Sequence, residues 1–220
     1  MTPMPEVIRV MVESGAKRVF ANALDWPGWS RSGRTEQAAV DALLCYAARY
    51  APVAEGAGLV LPTAPGIDIV DRAVGTTTTD FGAPDVACAE DHEVPAPAEA
   101  DRLARLLASS WRVFDQVAAA SPEELRKGPR GGGRDRTAMV RHVLGAQAAY
   151  ARALGLSARE PEPDDEPAIA AQQQALLEVI RSGLPVANPR RTRLWPVRYG
   201  ARRLAWHVLD HAWEMEDRRD

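Results

Sequence analysis

Two histidines lie four residues apart in the C-terminal stretch 202–217, which reads RRLAWHVLDHAWEMED. Because side chains at positions i and i+4 of an α-helix share one face, His207 and His211 are predicted to point the same way. An ordinary surface helix would not place both rings on an apolar stripe. The apolar residues of that face predict that it is turned toward a protein core: Leu204, Val208 and Met215.

A third histidine, His142, lies next to Val143 and three residues after Met139, at or beside the inner stripe of an earlier helical segment. Three inward imidazoles from two helices could bind one ion, because neutral imidazole is a good ligand for zinc, nickel, copper and iron. Three protein ligands would leave a position for water or substrate, as catalysis requires. The alternative interpretation is a set of hydrogen-bonded core histidines. His92, in an acidic stretch, is predicted to be a solvated loop residue.

The N-terminal third must supply a small α+β unit. Residues 7–12 and 18–24 are rich in β-branched and apolar residues around a Ser-Gly turn signal, which predicts a hairpin. Thr35 is predicted to cap a helix over residues 36–50, and a further short strand is predicted at 67–70. We therefore expect a small antiparallel sheet with one helix.

The remaining chain is predicted to be helical. Residues 75–97 contain threonines, prolines and acidic residues, which indicates a connection, with an extra strand or two around Phe81 as the alternative. Amphipathic helices are predicted at 98–120, 135–154, 166–182 and from Pro196 almost to the C-terminus. The expected fold is an α+β domain over 1–74, a connection over 75–97, and an all-α, up-and-down four-helix bundle over 98–220.

Composition excludes some partners. The 220-residue chain has 46% apolar and 26% charged residues and a formal net charge of −3. This mild acidic balance gives no electrostatic reason to expect nucleic acid or an anionic membrane as the main partner. No run approaches the roughly 20 apolar residues that span a bilayer, and no export signal is evident, so the cytoplasm is the expected location. Cys45 and Cys88 are predicted to be reduced structural residues.

Two segments resemble the DinB-like superfamily of four-helix-bundle metalloproteins. RTAMVRHVLGAQAAYARALG resembles its second helix, and RRLAWHVLDHAWEMEDR resembles its last helix with the His-x3-His pair. The resemblance covers residues 98–220 and implies that His142, His207 and His211 are the metal ligands. It further implies a divalent ion, zinc, nickel or iron, at one end of the bundle. Many members pair through their helices, so a homodimer is a further expectation.

The DinB-like resemblance also implies a chemistry. Some members are thiol-dependent transferases or isomerases that use mycothiol, bacillithiol or glutathione, with the metal lowering the thiol pKa so that thiolate forms at neutral pH. The implied function is that of a metal-dependent thiol S-transferase, isomerase or hydrolase acting on a small molecule. The implied cofactors are the divalent ion and a low-molecular-weight thiol.

Residues 5–70 resemble the HicB-like antitoxin fold through the stretch ALDWPGWSRSGRTEQAAVDAL, in which a strand ends before Pro-Gly and a threonine caps an alanine-rich helix. Antitoxins of this kind usually carry a DNA-binding element, but no basic helix-turn-helix or ribbon segment follows here. The resemblance therefore implies a packing or partner-binding module. The alternative function is a non-enzymatic interaction protein, in which this unit binds a protein partner and the bundle dimerises.

Several other residues are candidates for supporting roles. Glu214 is predicted to orient a ligand imidazole, to approach the ion itself, or to be a surface or C-terminal-turn carboxylate. Trp206 and Trp213 are predicted to pack between helices or at a dimer or domain interface. The segment 131–134, GGGR, is interpreted as an anion cradle or a flexible loop. A basic group is predicted to pair with the acidic segment 161–166, with some members meeting a carboxylate-bearing thiol or substrate: Arg190, Arg191, Arg193, Arg198, Arg202 and Arg203.

Overall fold

The computed structural model describes residues 7–63, 65–128, 133–189 and 193–219, and within them it has one four-stranded sheet followed by a mainly helical region. The strands are β1 (Val7–Ser14), β2 (Val19–Ala23), β3 (Ser30–Gly33) and β4 (Gly66–Val74). The helices are α1 (Glu36–Cys45), α2 (Ala47–Gly56), α3 (Thr77–Phe81), α4 (Pro97–Ala120), α5 (Arg136–Ala153), α6 (Glu166–Ser182) and α7 (Val197–Arg218), with a 3-10 helix at Ala89–His92.

The sheet is mixed, so the prediction of an antiparallel sheet is wrong. Its strand order is β3-β2-β1-β4, with β1 antiparallel to β2 and β2 antiparallel to β3. Strand β4 runs parallel to β1 and places Ile69 opposite Val10. Parallel pairing follows because α1 and α2 carry the chain back along the sheet before β4 begins, as a parallel crossover requires. The predicted hairpin and the strand after the helices are both present, while β3 was not anticipated.

The helical layer over the sheet begins where the sequence predicts it. The Thr35 side chain accepts a hydrogen bond from the backbone N–H of Ala38 at 3.2 Å, as an N-cap does. The predicted single helix is divided at Tyr46, whose N–H bonds to the carbonyl of Leu43, three residues back. The chain then continues as α2, which contains Pro52. Apolar side chains of α1 and α2 pack with β1 and β2 into one core.

The four long helices do not form the predicted up-and-down bundle. Their bounds agree with the sequence prediction to within a residue or two, but α4 packs mainly against α7 and α6, and α5 packs mainly against α7. Consecutive helices are neighbours in an up-and-down bundle, whereas α4 and α5 are not principal partners here. Helices α4 and α7 also contribute to the core that α1 and α2 form with the sheet, through Leu106, Leu209 and Trp213.

Helix α7 has core on more than one side, which explains why a bundle alone could not bury it. Trp206 meets Phe20 of β2 edge to face, with ring centres 6.1 Å apart. Trp213 meets Tyr46 in the same way at 5.1 Å. Both tryptophans are therefore buried where α7 meets the N-terminal part of the chain. The domain boundaries at residues 74 and 98 stay a prediction.

The connection 75–97 is folded against both the sheet and α7. Within its described residues it contains α3 and the 3-10 helix and no strand, and Phe81, at the end of α3, is 90% exposed. The buried Glu13 of β1 accepts hydrogen bonds from the backbone N–H of Asp85 at 2.9 Å and from Val86 at 3.2 Å. Among the helices that the structure describes, none is both long and apolar enough to cross a bilayer.

Candidate metal centre

Helices α5 and α7 bring His142, His207 and His211 together. The Nε2 atoms of His142 and His207 are 3.2 Å apart, and the three ring centres lie 4.7 to 5.0 Å from one another. One nitrogen from each ring can be chosen so that all three lie within 4.8 Å of one another. The three histidines singled out from spacing therefore share one site, at the contact between the two helices.

Burial keeps two of these rings neutral. His207 is 7% exposed, and burial together with the neighbouring His211 and His142 holds its pKa well below its ordinary value. Burial, together with the neighbouring His211 and Arg134, lowers the pKa of His142 to about 4. Neutral imidazole is the form that binds metal ions. At neutral pH both rings therefore have a nitrogen lone pair available.

The lowered histidine pKa values predict acid sensitivity of the metal-free chain. Between pH 6.5 and about 4 the unfolded chain binds a proton at His142 that the folded chain does not, so stability falls as the pH falls through that window. The midpoint of thermal unfolding should drop more steeply across this window in the wild type than in His142→Gln, which cannot titrate. Equal slopes for the two proteins, measured by circular dichroism with chelator present, would contradict this.

Glu214 fixes the orientation of the third ring. Its Oε2 lies 2.9 Å from Nδ1 of His211, and its Oε1 accepts a hydrogen bond of 2.7 Å from Nη1 of Arg218. The hydrogen bond from His211 is the largest contribution to a lowered pKa of Glu214, so the carboxylate stays ionised. With Nδ1–H donated to Glu214, Nε2 of His211 retains its lone pair. This arrangement of carboxylate, imidazole and ligand position is typical of metal sites.

Replacing Glu214 is expected to weaken metal binding without abolishing it. In Glu214→Ala the His211 ring loses its acceptor, so zinc affinity should fall by about 10- to 100-fold, the usual effect of removing such a partner. Competition with a chromophoric chelator measures the change. Glu160→Ala is the control, because the exposed Glu160 lies near Gly145 of α5 but outside the cluster, and it should leave the affinity unaltered. An unaltered affinity in Glu214→Ala would mean that His211 needs no orienting group.

Aromatic rings pack around the buried His207. The Tyr150 ring, on the same face of α5 as His142, meets the His207 ring edge-on with centres 5.6 Å apart. Its other neighbours include Trp195, at 5.1 Å. Trp206 lies 6.2 Å from His207 on the side toward the sheet. These rings limit water around the buried His207.

The basic residues at the start of α7 divide into paired and unpaired members. Arg198 forms ion pairs with Glu90 and Glu99, each at 2.8 Å. Arg202 binds both carboxylate oxygens of Asp91 at 2.7 Å. These carboxylates belong to the connection and to α4, so the prediction that these two arginines pair with the acidic segment 161–166 is wrong. Arg203 has no ion pair with any described residue.

The remaining candidates lie away from the cluster or outside the described residues. His92 is exposed at the end of the 3-10 helix, as predicted, and takes no part in the site. Cys45 is exposed, Cys88 is buried, and both are free thiols. Arg193 is exposed. Four residues singled out above fall outside the described part of the chain: Gly131, Gly132, Arg190 and Arg191.

Comparison of the chain with protein-family models, with curated proteins and with solved structures finds no match. The resemblances to DinB-like proteins and to HicB-like antitoxins therefore stay predictions that rest on the quoted residues. Any function assigned to the chain has to come from the chemistry of its own side chains.

Proposed function

We propose that the chain binds one divalent transition-metal ion through His142, His207 and His211, with zinc or nickel as the first candidates and iron as a third. The observation that carries this proposal is the approach of three ring nitrogens, one from each histidine, to within 4.8 Å of one another. Two of these rings are held neutral by burial. An all-imidazole donor set suits these ions better than calcium or magnesium, which take oxygen ligands.

One pair of donors has the separation that such an ion requires, and the third nitrogen lies within 4.8 Å of both. Two nitrogens bound to one zinc at about 2.0–2.1 Å in tetrahedral geometry lie roughly 3.3–3.4 Å apart. The Nε2 atoms of His142 and His207 are 3.2 Å apart, close to that value. An N–H···N hydrogen bond between the two rings has a similar length, and it is the competing explanation. It accounts for two rings but not for the third, nor for the carboxylate that orients His211.

We further propose that the site is catalytic, acting on a small molecule with a low-molecular-weight thiol or water. A bound divalent ion lowers the pKa of a thiol or water ligand, so that thiolate or hydroxide is present at neutral pH. The chain supplies three imidazole ligands, which leaves a coordination position open. Glu214 holds His211 in orientation, while Tyr150 and Trp206 limit water on two sides. Thiol transfer, isomerisation and hydrolysis all use such a site.

The test is cobalt substitution of untagged protein, because a polyhistidine tag would itself bind metal. Cobalt bound by three imidazoles should give visible d–d bands at about one ion per chain. Addition of glutathione should then produce a thiolate-to-cobalt charge-transfer band. Absence of bound cobalt, zinc and nickel would overturn the metal site and direct the search to protein partners. If cobalt binds but its spectrum shows no change due to a thiol or water ligand, only the catalytic role is overturned.

A further inference from the structure

Arg203 is buried beside the histidine cluster without a counter-ion. It lies one helical turn before His207 on α7, and only 8% of the residue is exposed. Its Nε and Nη1 atoms are inaccessible to solvent and have no hydrogen-bond partner among the described residues. Such groups are rare, because a charged donor removed from water without a partner costs free energy. A buried guanidinium of this kind needs an explanation.

Two neighbouring arginines of α7 differ from Arg203 in their partners. Arg198 and Arg202 lie on the same helix and have carboxylate partners within 2.8 Å. Arg203 instead packs against aromatic rings, with its Cζ 4.8 Å from the centre of Trp206 and 5.4 Å from that of Tyr150. Stacking on a ring attracts the cation but satisfies none of its N–H donors. The guanidinium of Arg203 therefore has two buried donors without a hydrogen-bond partner and no carboxylate partner among the described residues.

Arg203 is also close to the three histidines. The Tyr150 ring touches both groups, with its centre 5.6 Å from the His207 ring and 5.4 Å from Cζ of Arg203. Positions 203, 207 and 211 follow one another at intervals of four along α7, so their side chains share a face. A molecule bound at the histidines would meet this guanidinium about one helical turn away, at roughly 6 Å along the helix.

A water molecule in a small cavity beside Arg203 is the competing explanation for its unpaired donors. The cavity is lined partly by Arg203 and has a volume of about 10 Å³, which is room for about one water molecule and too little for a carboxylate. A water there would satisfy a donor but would leave the positive charge without compensation. The cavity lies between α7 and the sheet, with the other lining residues Asn22, Ser30, Pro84, Val86, Tyr199 and Arg202.

We infer that Arg203 binds a carboxylate of the small molecule that occupies the open position at the three histidines. The planar guanidinium with its fork of donors matches a carboxylate, and the partly apolar surroundings strengthen the bond. The inference rests on the proposed metal site and specifies its substrate class, a thiol that also carries a carboxylate. Such a ligand would bind through the sulfur at the metal, its thiol proton passing to solvent, and through the carboxylate at Arg203.

The test compares two thiols that differ only in this group, 3-mercaptopropionate and 3-mercaptopropan-1-ol, on the cobalt-loaded full chain. The dissociation constants come from the thiolate-to-cobalt absorption. Wild type should bind the carboxylate thiol about 10- to 100-fold more tightly, the usual worth of a hydrogen bond to a charged group. In Arg203→Met the preference should vanish while the affinity for the alcohol stays the same. Arg203→Lys, which keeps the charge without the fork, should retain part of the preference.

Arg141→Met is the matched control, because it removes one positive charge next to His142 from a side chain that is 61% exposed. It should leave the preference intact. An equal preference in wild type and Arg203→Met would overturn the inference while leaving the metal site standing. A marked fall in the thermal midpoint of Arg203→Met would also count against it, since the guanidinium would then be satisfied within the fold. Failure of wild type to bind cobalt would overturn both proposals.

Discussion

In the His207→Ala variant the metal affinity is expected to fall about a hundredfold or more. Loss of a residue that only orients a ligand lowers the affinity about 10- to 100-fold, and His207 is proposed to bind the metal directly. His207 is the most buried of the three rings and is close to both others. Its removal should leave two donors from different helices, His142 and His211. Two imidazoles hold zinc much less tightly than three, because no third ligand closes the coordination sphere.

Equilibrium competition with a chromophoric chelator, on untagged protein, measures this loss for zinc and nickel. His92→Ala serves as the control, because His92 is exposed at the end of the 3-10 helix and lies outside the cluster. It should bind metal as the wild type does. Retention of wild-type affinity by His207→Ala would mean that the rings are hydrogen-bonded core residues and that any metal binds elsewhere.

The Arg202→Met variant is expected to lose about 3–5 kcal/mol of unfolding free energy, the usual cost of removing one partner from a buried ion pair. Arg202 meets Asp91 through two hydrogen bonds of 2.7 Å, and the Asp91 side chain is 1% exposed. Without Arg202 that carboxylate retains the hydrogen bond from the backbone N–H of Cys88 at 2.7 Å but no compensating charge. We therefore expect a loss of unfolding free energy near the lower end of this range.

Urea unfolding followed by circular dichroism gives the free energies. The double variant Asp91→Leu with Arg202→Met removes both charges and should recover much of the loss, because an apolar pair of similar size replaces a buried ion pair at little cost. Arg203→Met is the matched comparison on the same helix, and it should be close to wild type since no carboxylate is left behind. A loss below about 1 kcal/mol in Arg202→Met would place the pair in the class of surface ion pairs.

The local features of the fold could be predicted from the sequence. The period of the apolar residues gives the bounds of α4 to α7, because each helix must bury one stripe. The Thr35 cap is a local hydrogen bond to Ala38, so its position follows from residue type alone. The convergence of His142 with His207 and His211 was also within reach, since all three lie on inward stripes of helices that had to pack together.

The long-range features could not be predicted in this way. The parallel pairing of β4 with β1 joins residues such as Val10 and Ile69, and nothing local to either strand specifies the direction of the other. The ion-pair partners of the basic residues also depend on long-range contacts. Arg202 is paired because the connection brings Asp91 to it, whereas Arg203, the next residue, packs on aromatic rings and has no carboxylate partner among the described residues. Two adjacent arginines thus have different electrostatic environments, since one has a carboxylate partner and the other has none.

Helix α7 contributes His207 and His211 on one side and presses Trp206 and Trp213 against Phe20 and Tyr46 on the other. The same helix therefore contacts both the histidine cluster and the sheet, so a shift of the helix on ion binding would be felt at both. If ion binding favours the helix position in which Trp206 packs on Phe20, we expect amide hydrogen exchange in β2 to slow when the ion binds. By reciprocity, whatever binds the sheet and shifts the helix must change the affinity for the ion by the same factor.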